Sequence, residues 1–357
     1  MNIIVNNVNI FLIILTTFIS SLIYVPICKR IAKHIGAIDK PNERKVHEKP
    51  MPRLGGLAIF ASFATGYILF GNITTQMISI LLGGFVIIIT GIIDDINPIK
   101  ARNKFLAQIL AACIVVFYGK FYLTETTFFG MYFNFGEFGW IMSIILIVGS
   151  INAINLIDGL DGLAAGTCSI YYITMAIIGL TMHVYGGLDV LLCTIMIGST
   201  LGFLVYNFNP ASIFMGDTGS MFLGYMISII ALLGFKTATF TSFVIPILIM
   251  FIPILDTLLA ILRRIIKRES IGTPDKEHFH HQLLSRTSSV KKTVLLIYFV
   301  NICFSAVSIL YSLGDTNRAI TLYIILMAIV LFFILKTDIL YKHRKKDKRI
   351  NKKDKKH

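Results

Sequence analysis

Charge is scarce in this chain. Asp, Glu, Lys and Arg together make up 15% of its 357 residues, far too little to clothe a soluble domain of that length. Cysteine is equally thin. Cys28, Cys113, Cys168, Cys193 and Cys303 are scattered and mostly lie inside apolar blocks, so neither a zinc spacing nor a disulfide framework is inferred. The sequence has no glycine-rich loop ending in Lys-Ser or Lys-Thr, which argues against ATP hydrolysis of the P-loop kind. HExxH and GxSxG are also missing, so the familiar zinc-protease and serine-hydrolase patterns do not apply. No basic residue precedes the first apolar block and no obvious cleavage site follows it, so that block reads as a retained span rather than a signal peptide.

Apolar residues dominate what is present: 55% of the chain is hydrophobic and the mean hydropathy is +0.77. They fall in blocks near the roughly 20 residues that a helix needs to cross a bilayer. Eleven spans are expected, near 4–27, 54–71, 76–93, 104–119, 139–157, 163–182, 188–206, 219–235, 241–262, 293–313 and 318–335. The expected architecture is an all-α polytopic membrane protein, with residues 1–341 as one membrane domain and 342–357 as a basic, disordered tail. No soluble repeat, heptad array or low-complexity linker interrupts it.

The net charge of +14 would suggest nucleic acid in a soluble chain. Here it follows topology instead. Of the 33 Lys and Arg residues, 30 fall in 28–53, 94–104, 263–292 and 336–357. Only Lys120, Lys236 and Arg318 fall in the alternate connections. By the positive-inside rule this places the N-terminus outside, the C-terminus in the cytoplasm and the basic loops on the cytoplasmic face. The tail is then an anchor near anionic lipid, and no nucleic-acid partner is expected.

The polar motifs lie at that same face. Residues 41–56 combine basic side chains and His47 with Gly55-Gly56, where Lys49 and Arg53 suit phosphate oxygens; a plain positive-inside loop reads equally well. Asp94-Asp95 end the third expected span. Adjacent carboxylates there are costly, and they suit a hard cation or a proton, a reading preferred to a plain helix end paired with Arg102 or Lys104. Asn152, Asn155 and Asp158 are spaced three apart, so they share one helix face, and Asp161 follows Gly159. No Lys or Arg occurs from 121 to 235 to neutralise them, which favours a cation or a hydrogen-bonding ligand. Asn207, Phe214 and Asp217 surround a helix start, where Asp217 is either an ordinary cap or a metal ligand beside a phosphate-friendly N-terminus. His278, His280 and His281 cluster without a cysteine or second cluster to close a zinc site. Asp256 lies inside the ninth expected span, either as a partner of the basic loop or as a substrate contact.

Five of these segments, in order, resemble the polyprenyl-phosphate N-acetylhexosamine-1-phosphate transferases, from about Val46 to Leu284. They are Pro-x-Pro-Arg53-x-Gly-Gly, Asp94-Asp95, Asn155-x-x-Asp158-Gly-x-Asp161-Gly, Phe214-Met-Gly-Asp217-x-Gly-Ser and His278-x-His-His281. The resemblance implies a bacterial plasma-membrane enzyme that moves sugar-1-phosphate from a UDP-sugar to a polyprenyl phosphate, releasing UMP. It also implies Mg²⁺, with Mn²⁺ as a substitute. Asp217 and Asp158 would serve the metal. Asp94, Asp95, Asp158 and His281 would be catalytic. Lys49, Arg53, Asn155, Asp161, Asn207, Phe214, His278 and His280 would contact substrate. The loop ending at Arg53 and the His-x-His-His string look like the branch using UDP-N-acetylglucosamine, which begins teichoic-acid linkage units and other surface polysaccharides. The muramoyl-pentapeptide branch is the alternative, and a homodimer stays open.

A transporter or flippase is the competing class. Such proteins place functional carboxylates near the midplane, often with repeat symmetry, whereas most acids here fall at span ends.

Overall fold

In the computed structural model, residues 4–5, 8–40, 50–128, 131–182, 187–236, 250–251, 254–255, 257–258 and 279–336 are described. Eleven α-helices are found among them: α1 Ile10–Ile35, α2 Gly55–Phe70, α3 Thr75–Ile96, α4 Ala101–Cys113, α5 Gly139–Ile157, α6 Leu163–Thr181, α7 Leu188–Asn207, α8 Gly216–Lys236, α9 Phe279–Thr287, α10 Val290–Ser312 and α11 Thr316–Lys336. Among the described residues, nine helical stretches are long and apolar enough to cross a membrane, and Gly55–Phe70 is a shorter apolar helix. The fold is the expected all-α membrane bundle. The ninth expected span, 241–262, lies mostly outside the described residues, as do Asp256 and the tail.

Several boundaries differ from expectation for local reasons. The first helix starts later than residue 4, because the Asn9 side chain accepts from the Phe11 amide at 2.9 Å and caps it. It then runs through Pro26 and the basic residues that read as loop, and stops at Gly36 in a left-handed conformation. Helix α4 continues from Cys113 as a wider π turn over Ile114–Tyr118. Three short antiparallel pairs occur among the described residues, of which Ile38–Asp39 with Met51–Pro52 matters most, because it leads Arg53 into the bundle.

Helix α8 is the axis, buried along nearly all of its length. Helices α2, α3, α5 and α6 pack around it, and α7 packs against α1, α2 and α6. In lipid, helices associate through close packing and internal polar contacts, and both occur here. Gly56 of α2 lies so near Gly219 of α8 that a Cβ would strike the backbone there. Ser62 donates to the Thr17 carbonyl at 2.6 Å and lies 3.0 Å from the Ser199 hydroxyl, tying α2 to α1 and α7. Phe60, Phe63 and Phe222 stack edge to face where α2 meets α8.

Gly56→Ala is therefore expected to force α2 off α8 and lower stability by about 1–3 kcal/mol, the usual scale of overpacking. A thermal midpoint in detergent equal to that of wild type would mean that α2 can step aside.

Candidate active site

The C-terminal ends of α3, α5 and α7 and the N-terminal ends of α2, α4, α6 and α8 all meet at one end of the bundle. The acidic motifs are there because each lies at one of those ends. Asp94 and Asp95 occupy the last turn of α3, Asp158 follows the last residue of α5, and Asp217 is the second residue of α8.

Helix α8 begins at Gly216 because Asp95 closes it from another helix. Asp95 Oδ1 accepts from the Asp217 amide at 2.9 Å, while Oδ2 accepts from the Thr218 amide at 3.1 Å and the Thr218 hydroxyl at 2.6 Å. These are the donors that an N-cap side chain ordinarily satisfies. Gly216 has φ +72°, and a Cβ there would collide with the Asp95 carboxylate, so only glycine lets the acid approach. Arg53 completes the frame. Its Nε lies 3.0 Å from Asp95 Oδ1 and its Nη2 donates to Asp217 Oδ1 at 3.0 Å. Its backbone is fixed by Arg53 N to Ala37 O at 3.0 Å and by a parallel bridge to Phe214. The amides of Gly55 and Gly56 donate to the Phe214 and Met215 carbonyls at 3.0 and 2.9 Å. Burial alone would push the Arg53 guanidinium down, but Asp95 and Asp217 outweigh it and hold its pKa above the ordinary arginine value.

Lys104, in the first turn of α4, supplies the second cation. Its Nζ donates to Asp94 Oδ2 and to Asp217 Oδ2, both at 2.7 Å. Asp94 Oδ1 accepts from the Ile99 amide at 2.9 Å. Lys104 thus partners Asp94, and Arg102 does not. The ligand atoms of Asp94, Asp95 and Asp217 lie within 4.8 Å of one another, a group that could hold a metal ion. Carboxylate oxygens at this spacing suit a hard cation. Asp158 stands outside that trio but feels it. Burial first, then the charge of Asp217, pushes its carboxyl up to about 7.

Other expected residues brace the surrounding loops. Asp161 Oδ2 accepts from Asn209 Nδ2 at 2.9 Å and from the Ala211 amide at 3.0 Å. Asn207 is buried, donating to the Ile213 carbonyl at 2.9 Å and accepting from the Gly162 amide at 3.1 Å. Together they bind the 158–162 turn to the 208–215 loop. Asn155 donates to Ser220 Oγ at 2.8 Å. One turn deeper, Asn152 donates to the buried Gln108 at 2.7 Å. His280, in α9, is buried against Gly159, where a Cβ would meet its imidazole, so the histidine segment abuts the acidic turn. Tyr298 of α10 donates to the Gly162 carbonyl on the other side of that turn. Lys49 and His278 lie outside the described residues, and so does the side chain of His281. Thr218, Gln108 and Tyr298 were not singled out by sequence, where each is an ordinary polar residue at a helical position.

Residues 77–235 match the model of glycosyl transferase family 4. The chain is 45% identical to the probable undecaprenyl-phosphate N-acetylglucosaminyl 1-phosphate transferase of Bacillus subtilis (strain 168), over 90% of this chain and 89% of that protein. It is 33% identical to the decaprenyl-phosphate N-acetylglucosaminephosphotransferase of Mycobacterium tuberculosis (strain ATCC 25618 / H37Rv), over 84% and 82%. It is 24% identical to the undecaprenyl-phosphate alpha-N-acetylglucosaminyl 1-phosphate transferase of Escherichia coli (strain K12), over 90% and 88%.

The two neighbouring aspartates are expected to fail differently. Asp95→Ala strands the first amides of α8 and should cost about 1–3 kcal/mol of stability, read as a lower thermal midpoint, whereas Asp94→Asn should leave the midpoint near wild type. Equal midpoints for both variants would remove the capping role of Asp95. For Asp158, a folded-state pKa of about 7 against an ordinary value of about 4 means that the charged form is disfavoured on folding. Stability is then lost as pH rises between the two values and stays low above the upper one. In protein stripped of divalent cations, Asp158→Asn should melt above wild type at pH 8, with the gap closing toward pH 4. A gap independent of pH would contradict this.

Proposed function

The chain belongs to glycosyl transferase family 4, and from that membership we propose that it transfers N-acetylglucosamine-1-phosphate from UDP-N-acetylglucosamine to undecaprenyl phosphate. The products are UMP and undecaprenyl-diphosphate-N-acetylglucosamine, the first membrane step of a cell-wall polysaccharide or teichoic acid. The names of the three relatives favour this over the muramoyl-pentapeptide reaction. The observation that carries the reading is the Asp94, Asp95 and Asp217 group at the end of the spans, braced by Arg53 and Lys104. A transporter would be expected to hold such carboxylates near the midplane.

In the reaction an oxygen of the lipid phosphate forms a bond to the sugar-linked phosphorus, and the bond from that phosphorus to the bridging oxygen of UMP breaks. All reacting groups are anionic, so catalysis depends on fixed positive charge and on excluding water. Asp94 and Asp217 would hold Mg²⁺, or Mn²⁺ in its place, which when bound neutralises charge on the diphosphate. Lys104 orients phosphate oxygens, and Arg53 adds fixed positive charge beside them while bracing Asp95 and Asp217. Asp95 positions Asp217, and Asp161 and Asn207 position the loop that carries Phe214 toward the nucleotide. Asn155 and Asp158 line the same end, and His280 abuts it from α9, with His281, Lys49 and His278 assigned to the phosphates and sugar. The positive-inside pattern of the basic loops supports a cytoplasmic position for this end, where the nucleotide sugar is found.

Purified protein given polyprenyl phosphate, Mg²⁺ and a panel of UDP-sugars should release UMP fastest from UDP-N-acetylglucosamine. Asp217→Asn should lower that rate by about 100-fold or more, the scale of losing a fixed electrostatic group. UMP from none of the sugars, with folded protein and carrier present, would sink the enzyme reading.

A further inference from the structure

The ammonium of Lys104 is placed as an ion would be. It lies 2.7 Å from Asp94 Oδ2 and 2.7 Å from Asp217 Oδ2. Each of those oxygens accepts from this lysine. The other oxygens of the group are committed elsewhere. Asp95 uses both of its oxygens on the start of α8 and Arg53, Asp94 Oδ1 holds the Ile99 amide, and Asp217 Oδ1 holds Arg53. The pair left to bridge a cation is the pair that Lys104 bridges. Two like charges cannot share that position, because a dication held by both oxygens would sit within contact distance of Nζ.

We propose that Lys104 is an exchangeable counter-ion of the cation site: it joins Asp94 to Asp217 until a divalent ion takes its position, and it then turns to the anion that the ion carries. This rests on the metal reading of the site given above. The lysine is able to make the move. It sits in the first turn of α4, its side chain is 24% exposed, and a lysine ammonium is a point charge on a flexible stem. Arg53 is not equivalent. Its planar fork spans Asp95 and Asp217 and is fixed by its own backbone contacts, so it stays as a brace. The exchange keeps the carboxylates compensated before the ion arrives and makes a phosphate ligand available once it has.

The test uses full-length protein in detergent, stripped with chelator and titrated with Mn²⁺ without substrate, with binding read by electron paramagnetic resonance. Lys104→Met removes the competitor and should bind Mn²⁺ about tenfold more tightly than wild type, the scale of a charge-assisted hydrogen bond, even though turnover falls. In wild-type protein, acylation of Lys104 by an amine reagent, read by peptide mass spectrometry, should rise on adding Mn²⁺. Wild type that binds Mn²⁺, paired with a Lys104→Met variant that binds it equally or less tightly, overturns the exchange and leaves the metal reading standing. Labelling of Lys104 that falls or stays constant on adding Mn²⁺ overturns it too, without relying on any variant. Absence of Mn²⁺ binding to wild type overturns the metal reading, and the exchange with it.

Discussion

Asp95 reaches from the end of α3 to the first amides of α8, and the arrangement of that end of the bundle depends on the contact. It satisfies donors that a helix start buried in protein would otherwise leave stranded. Because the contact fixes where α8 begins, it also fixes Asp217 one residue later. Gly216 admits the carboxylate, and the Gly55-Gly56 pair lets α2 bring Arg53 to the same point. A packing requirement and a charge requirement are met by one set of residues.

The remaining charge explains the chemistry. Asp94, Asp95 and Asp217 lie together with Arg53 and Lys104 as compensation, and Asp158 stands close enough to feel their field. Acids outnumber bases there, so the site retains capacity for further positive charge. Substrates that are themselves anionic require that capacity to be filled before they can approach. The deeper polar pair, Gln108 with Asn152, carries no charge and serves to hold α4 and α5 in register beneath the site.

Much of this was legible in the sequence. The apolar blocks mark the spans, and the alternation of basic loops brings Asp94, Asp158 and Asp217 to one end before any contact is known. What was not legible depends on partners distant in sequence. Adjacent identical residues cannot be told apart by spacing, so Asp95 as a cap and Asp94 as the partner of Lys104 emerged only from geometry. The choice of Lys104 over Arg102 depends on which face of α4 meets α8. The stretch from 121 to 235 lacks Lys and Arg, which suggested uncompensated acids; Arg53 and Lys104, outside that stretch, compensate them in part. Asp161 and Asn207 read as ligand contacts, and their hydrogen bonds go to the protein's own loops.

The separation of these partners along the chain also bears on how the protein is made. Arg53 and Asp217 are 164 positions apart, and Asp95 lies 122 positions before Asp217. When α3 enters the membrane during synthesis, α8 has not been made, so Asp95 lacks the helix it caps and both aspartates lack the acid that will lie beside them. They can wait because they occupy the last turn of α3, where the bilayer meets water and a carboxylate remains hydrated at little cost. The same two residues at the middle of the span would oppose insertion itself. Putting the acids at helix ends therefore gives a chain that can be threaded in one span at a time, with its chemistry assembled only when α8 arrives.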